Sequence, residues 1–393
     1  MTSTRTLIRK LSVLALLLAY TAQVFATQQY SPSYGYSVDF PEGFYLSAKN
    51  DEGTAYQFSS ALLPVEAVLR IYDADRYPNA QDALDKTLDA LGADGASESF
   101  NWRGTEAAIA TFTLKLNPPK NECEGLGIAT PLTYGAGTLV LFTWCEKAQY
   151  ENCLNYMLSL LDSVSIDRGS YFEQGPVTTY AYPQGEEDVS VTLDINGTKV
   201  QTTLNSSDEE AARYLIEREY DVLCLYQSSV LWKEAWQRYY RMIFRDSYGR
   251  LENAAFDIYN AISASCTDET DLAQQLLTWT QEMNYEREKT DSDFASLPSI
   301  LLGSGSDCDS RSMLLAVLLR HMNVDAVIFV SAEYSHAIAG MVSSHPGHSY
   351  TVNGKKYLMG ETTAKGLTWG KVAQDQDDES KWIAVEPPLP YGD

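Results

Sequence analysis

The sequence predicts an α+β protein in two domains, with helices packed on antiparallel sheets. Three observations carry this. The chain has 393 residues, too many for one ordinary core at about 100–200 residues per domain. Short β-rich runs are interleaved with two helical patterns in its first part, which gives helices on an antiparallel sheet. A stretch rich in Gly, Pro, Thr and Tyr over 169–184 then separates that part from a run of helices followed by strands. The expected division is a signal peptide over 1–26, an N-terminal sandwich domain over 27–168, a linker over 169–184 and a second domain over 185–393.

The first 26 residues read as an export signal. Arg5, Arg9 and Lys10 form a positive start, residues 11–20 are apolar, and Val24-Phe25-Ala26 ends on a small residue fit for cleavage. The apolar run is shorter than the roughly 20 residues needed to span a bilayer, and no later stretch is long and apolar enough. The mature protein is therefore expected in the periplasm or secreted, without stable membrane insertion. Apolar residues make up 45%, so the chain is globular. Net charge is −24, and −27 once the three cations of the leading segment are set aside. Such a charge repels nucleic acid and anionic membrane surfaces. Four histidines leave little for a multi-histidine metal site, and no Gly-rich loop follows a strand and opens a helix as a nucleotide site requires. No metal and no cofactor is expected.

Strands are expected over 36–41, 66–73, 107–116 and 137–145, and helices over 81–91 and 148–164, where apolar residues recur at helical spacing. Residues 189–204 spell a hairpin around Asn196-Gly197, a pair suited to a tight type I′ turn. Helical patterns follow over 207–224, 232–244, 251–263 and 272–285. The six cysteines are Cys123, Cys145, Cys153, Cys224, Cys266 and Cys308. Cys123 could pair with Cys145 or Cys153, and Cys224 with Cys266; spacing does not fix the connectivity.

The chemistry concentrates between residues 303 and 363. Gly303-Ser304-Gly305-Ser306-Asp307-Cys308 is a loop ending on cysteine, and 309–322 is a helix apolar on every face, hence buried. Cys308 is thus expected at a helix N-terminus, where the dipole and free N–H groups favour a thiolate and can bind an oxyanion. After a strand over 324–331, His336 opens a second strand. Asn353-Gly354 turns the chain into a third strand, which leads to Glu361. The imidazole could take the thiol proton while the carboxylate fixes its orientation. Asp307 and Asp309 read as helix-cap residues and His321 as a partner of the helix C-terminus. His345 and His348 read as loop residues.

Cys308, His336 and Glu361 in this order, with the helical run 276–285 before the loop, resemble the transglutaminase-like superfamily, which shares its core with papain-type cysteine proteases. The resemblance covers roughly 190–372. It implies catalytic roles for Cys308, His336 and Glu361, attack on amide or isopeptide bonds through a thioester, and a protein or peptide substrate such as a cell-wall peptide. The family usually has aspartate at the third position, and glutamate is one methylene longer. No aromatic residue follows Cys308, so the side-chain oxyanion donor is unassigned; Trp279 and Tyr285 read as core residues. A non-catalytic binding protein of the same fold is the other reading. The element order of the first domain is similar to small sandwiches of the Mog1/PsbP type. If the export signal is read and cut as expected, N-terminal sequencing of the exported protein begins at Thr27; a membrane fraction retaining residues 1–26 is the opposing result.

Overall fold

The computed structural model describes residues 28–116, 121–287 and 292–386; the expected export segment lies outside them. The class is mixed α+β, as expected. The chain divides into two compact units. One takes the described residues up to Ala181 together with Cys224–Ala235; the other takes Tyr182–Leu223 and the described residues from Trp236 onward.

In the first unit, β1 (Gln28–Tyr30) and β2 (Ser37–Asp39) pair as a small ribbon. The main sheet comprises β3 (Phe44–Lys49), β4 (Ala55–Ser60), β5 (Val65–Tyr72), β6 (Asp94–Trp102), β7 (Thr105–Leu116), β8 (Asn121–Pro131) and β9 (Thr138–Glu146). Their order is β3-β4-β5-β9-β8-β7-β6, and every pairing is antiparallel. Helix α1 (Ala80–Leu91) is capped by Asn79, whose side chain accepts from the Asp82 amide, and ends at Gly92 in the left-handed region. Its buried stripe of Ala80, Ala83, Leu84, Leu88 and Leu91 packs with Phe112, Val140, Phe142 and Trp144 on one face of the sheet. Gly125 makes room there, because a Cβ on it would lie 2.4 Å from the Phe112 ring. Helix α2 (Tyr150–Asp162) packs against β8 and β9. Strand β9 is buried at every position from Thr138 to Cys145, so both its faces are covered.

The stretch 169–184 differs from the expected linker over most of its length. A 3-10 turn at Ser170–Phe172 and α3 (Pro176–Ala181) fold it into the first unit. Tyr171, Val177 and Thr178 are buried. The buried Asp162 carboxylate accepts from the Thr178 amide at 2.8 Å and from its hydroxyl at 2.5 Å. The Trp102 indole donates to the Gln174 carbonyl at 3.0 Å. Residues that look like linker by composition are held by what they touch. Residues 224–235 also join this unit, and there the buried Tyr226 hydroxyl donates to the Glu42 carbonyl at 2.8 Å.

The second unit begins with the hairpin β10 (Asp188–Ile195) and β11 (Thr198–Asn205), turned at Asn196 and Gly197, both with positive φ. Then come α4 (Asp208–Cys224) and α5 (Trp232–Arg250), apart from Cys224 and the first residues of α5, which count with the first unit, and α6 (Glu252–Ile262), α7 (Glu269–Glu282), the short α8 (Leu297–Leu301) and α9 (Cys308–His321). A second antiparallel sheet is built from β12 (Ala326–Ser331), β13 (His336–Val342), β14 (Ser349–Val352), β15 (Lys355–Gly360) and β16 (Ile383–Val385), in the order β14-β15-β13-β12-β16. Helix α9 packs on β12 and β13. Leu314, Leu315, Ala316, Val317, Leu318 and Leu319 are all at 0% exposure, which fits the expectation of a helix buried on every side.

Limited proteolysis is expected to leave 169–181 uncut, because its backbone is buried and bonded. Thr178→Val, which removes a donor from the buried Asp162 carboxylate, is expected to lower unfolding free energy by about 1–3 kcal/mol in denaturant titration. Early cleavage within 169–181 would restore the linker reading.

Candidate active site

The fold brings the three sequence-derived residues to one end of the second sheet. Cys308 is the first residue of α9, His336 the first of β13, and Glu361 follows β15 directly. Strand β13 pairs with β15 in the register Ala339 opposite Gly360, so the chain leaving β15 passes beside the start of β13. There His336 Nε2 and Glu361 Oε2 lie 2.7 Å apart. Burial pushes the Glu361 carboxyl up. The bonds from His336 and from Thr363 outweigh that and leave it below the usual carboxylate range. Both donors of Thr363 hold Glu361 Oε1, the amide at 2.7 Å and the hydroxyl at 2.5 Å. Gln281 on α7 donates to the Glu361 carbonyl at 2.8 Å. Trp369 packs over Gly360, where a Cβ would sit 2.5 Å from the ring. The longer acid is therefore oriented on the imidazole by its own loop.

Cys308 sits where the sequence places it, in a different electrostatic setting. Asp307 is the helix cap: its carboxylate accepts from the Ser310 amide at 2.9 Å, and the Ser310 hydroxyl completes a capping box. Asp309 is not a cap. It lies in the first turn, where its carboxylate accepts from the Tyr240 hydroxyl and from the Cys308 thiol, the latter at 3.1 Å. Burial pushes the Cys308 thiol well up, Asp309 and Asp307 add to this, and a backbone bond from Ala337 opposes it. This corrects the expectation of a thiolate favoured by the helix N-terminus: burial first, then the carboxylates of Asp309 in the first turn and of the capping Asp307, outweigh the dipole. Asp307 is itself raised to about 7, first by burial and then by Asp309. The Ala337 contact nevertheless sets the sulfur beside the residue following His336.

Sequence reasoning missed Tyr285. It is not a core residue but 50% exposed, and it lies beside Cys308, whose charge adds to burial in raising the phenol's pKa. Residues 284–286 are zipped to the loop before Cys308, with Ser306 N on the Asn284 carbonyl at 3.0 Å and Glu286 N on the Ser306 carbonyl at 3.1 Å. The buried Arg311 secures both sides. It donates to Ser306 Oγ at 2.9 Å and to the Met283 carbonyl at 2.7 Å, with its guanidinium 5.3 Å from the Tyr285 ring centre. Tyr285 is thus a phenol beside Cys308, a placement its position before the loop could have suggested. Trp279, by contrast, is buried. His321 is turned to the Tyr248 carbonyl at 2.8 Å and stacks on that ring, and burial lowers its pKa, so it is not a charged partner of the helix end.

A cleft of about 240 Å³ opens beside His336, with Trp236, Tyr239, Tyr240, Arg287 and Asp309 in its wall. Donor atoms of Asp307, Cys308 and Asp309 lie within 4.8 Å of one another. Their oxygens already accept from Ser310, Tyr240 and the thiol, so we assign no metal to them.

No protein-family model matches the chain, and no curated protein matches it. Among solved structures, the cyanobacterial PsbP of Synechocystis is similar over 39% of this chain and 98% of its own, at 12% identity and a TM-score of 0.29. The Ran-binding protein Mog1p of Saccharomyces cerevisiae is similar over 38% of this chain and 98% of its own, at 8% identity and a TM-score of 0.28. LpqN of Mycobacterium tuberculosis, described as involved in cell envelope biogenesis, covers 36% and 90% at 11% identity and a TM-score of 0.24. PsbP and Mog1, the types that the first domain's element order resembles, are thus among these neighbours. At such scores they assign no function. Among the described residues no helix is long and apolar enough to cross a membrane.

The raised Asp307 generates a pH prediction. The folded state holds this proton between the ordinary carboxylate range near 3.9 and about 7, while the unfolded state releases it. Asp307 therefore stabilises below that window, and the contribution is lost as pH rises through about 7. Asn keeps the capping oxygen without the charge. Wild type is expected to lose stability relative to Asp307→Asn between pH 4 and 7, measured by urea unfolding; a constant difference across that range is the contrary result.

Proposed function

We propose that this is an exported thiol enzyme of the transglutaminase-like type, which cleaves or transfers amide or isopeptide bonds through a thioester on Cys308. The observation that carries this reading is the convergence of Cys308, His336 and Glu361 at one sheet end, with the imidazole bonded to the acid at 2.7 Å and the sulfur beside Ala337 and Tyr285. In this reading the thiol turns from Asp309 and passes its proton to His336. The sulfur attacks the carbonyl carbon, and the developing oxyanion takes a hydrogen bond from Tyr285. The C–N bond then breaks as His336 returns the proton to the leaving amine. Water or a second amine resolves the thioester. Glu361 holds the imidazole and stabilises its charged form. Protein or peptide amides, including cell-wall crosslinks, are the proposed substrates.

A binding protein that keeps the fold without turnover is the second reading. It is favoured by the thiol's donation to Asp309 and by the upward push that burial and two carboxylates give it, the reverse of an activated cysteine.

Thiol-reactive probes separate the two. An enzyme is expected to label at Cys308 in the folded state, with the label mapped by mass spectrometry. His336→Ala is expected to slow labelling by about 10²-fold or more, the range for loss of a general base, and Glu361→Ala by less. Asp309→Asn is expected to speed it, by about tenfold for each pKa unit released. A folded protein whose Cys308 resists the probe and does not respond to Asp309→Asn belongs to the second reading.

A further inference from the structure

The first unit holds three buried thiols that the proposed reaction does not use: Cys123 on β8, Cys145 on β9 and Cys153 in the first turn of α2, at 2%, 2% and 0% exposure. Sequence spacing allowed Cys123 to pair with either of the others. The sheet removes that option. Cys123 packs in the cluster on the α1 face, with Leu84, Leu88, Phe142 and Trp144. Successive residues of a strand point to opposite faces, so Cys145 lies on the other face from its neighbour Trp144. The register agrees, since Cys123 stands opposite Glu146 while Cys145 stands opposite Glu124. Neighbouring strands thus carry the two thiols on opposite sides of the sheet. Cys153 lies on the Cys145 side. The chain leaves β9 at Glu146, makes one 3-10 turn over Lys147–Gln149 and enters α2 at Tyr150, which returns it to β9. The two thiols are thus neighbours, each the first electrostatic influence on the other.

We infer that Cys145 and Cys153 are a disulfide-forming pair, joined during folding by a disulfide oxidant, and that Cys123 remains a thiol. Folding is the stage at which the bond must form, because both sulfurs are closed off afterwards. The balance is the same whichever thiol attacks first, here Cys153. Its thiolate attacks one sulfur of a small-molecule disulfide, forms a mixed disulfide and expels a thiolate. Cys145 then loses its proton to solvent and attacks the Cys153 sulfur, expelling the second thiolate. Two protons and two electrons leave the chain, and the oxidant's S–S bond becomes two thiols. The closed loop lies at one sheet–helix junction and is short, so the bond restricts the unfolded chain less than a long loop would.

The experiment is refolding of the full chain with a mixture of oxidised and reduced glutathione, followed by acid quench, denaturing alkylation without reductant and peptide mapping. The expected result is a linked Cys145–Cys153 peptide, lighter by two hydrogens than its parts, with Cys123 alkylated. Cys123→Ala is expected to leave the link intact. Reductant is expected to lower the thermal midpoint of the wild type by several degrees and to leave a Cys145→Ala/Cys153→Ala variant unmoved. Alkylation of both Cys145 and Cys153 in a chain that has regained its native ellipticity overturns the inference, and so does a bridge that includes Cys123. Should refolding fail, the same mapping is made on chain purified natively from an oxidising compartment, where the same two outcomes decide. Because Cys308 lies outside this pair, neither result bears on the proposed enzyme.

Discussion

The site of the second unit depends on the burial of one helix. Helix α9 presents apolar side chains in all directions, and β12, β13 and the surrounding helices leave its central residues without access to solvent. At roughly 1.5–3 kcal/mol for each large apolar side chain removed from water, that helix cannot rotate or slide without exposing part of the core. Its first residue is thereby fixed. Cys308 is placed at the head of β13 by hydrophobic burial in the turns that follow it, and no bond of its own is needed for that. The same sheet that covers the helix supplies His336 from β13 and Glu361 from the end of β15.

Around this fixed point, polar groups act in opposition. Glu361 is held ionised by His336 and Thr363 despite its burial, an arrangement that orients an imidazole. The capping Asp307 and Asp309 in the first turn of α9 work the other way on the neighbouring sulfur. The helix dipole is worth about half a charge at each end; burial of the thiol outweighs it first, and Asp309, itself pushed up by burial, adds to this at hydrogen-bonding distance. The thiol form is thus favoured at rest. Whatever weakens the hold of Asp309 on the thiol, at Tyr240 or in the cleft beside it, shifts the balance toward His336. In the proposed reaction, reactivity at this site turns on a local competition for one proton.

Much of this could be read from residues. The periodicity of α1, the Asn196-Gly197 and Asn353-Gly354 turns, the apolar run of α9 and the order of Cys308, His336 and Glu361 are local or depend only on strand alternation. The strands over Phe44–Lys49, Ala55–Ser60, Asp94–Trp102 and Asn121–Pro131 were not legible. Strand β6 is polar and mostly exposed, and β8 carries Gly125 and Gly127, so neither shows a β-rich pattern. Their neighbours' hydrogen bonds make them strands. Residues 170–181 read as linker because Gly, Pro and Tyr describe loops in general, and nothing local announces that Asp162 waits for Thr178.

By itself, then, the sequence determined the α+β class, the buried helix and the three residues placed around its N-terminus, because each follows from side-chain period or from turn chemistry within a few residues. Only the tertiary structure decided the charge state those residues favour and the company they keep. Asp309 meeting Tyr240, Tyr285 lying beside Cys308 and Arg311 reaching the Met283 carbonyl join residues between 23 and 69 positions apart. Cys123 and Cys145 sit on facing strands yet on opposite sides of the sheet. Desolvation and pairing of this kind depend on which surfaces close over a group, and no window of sequence contains that.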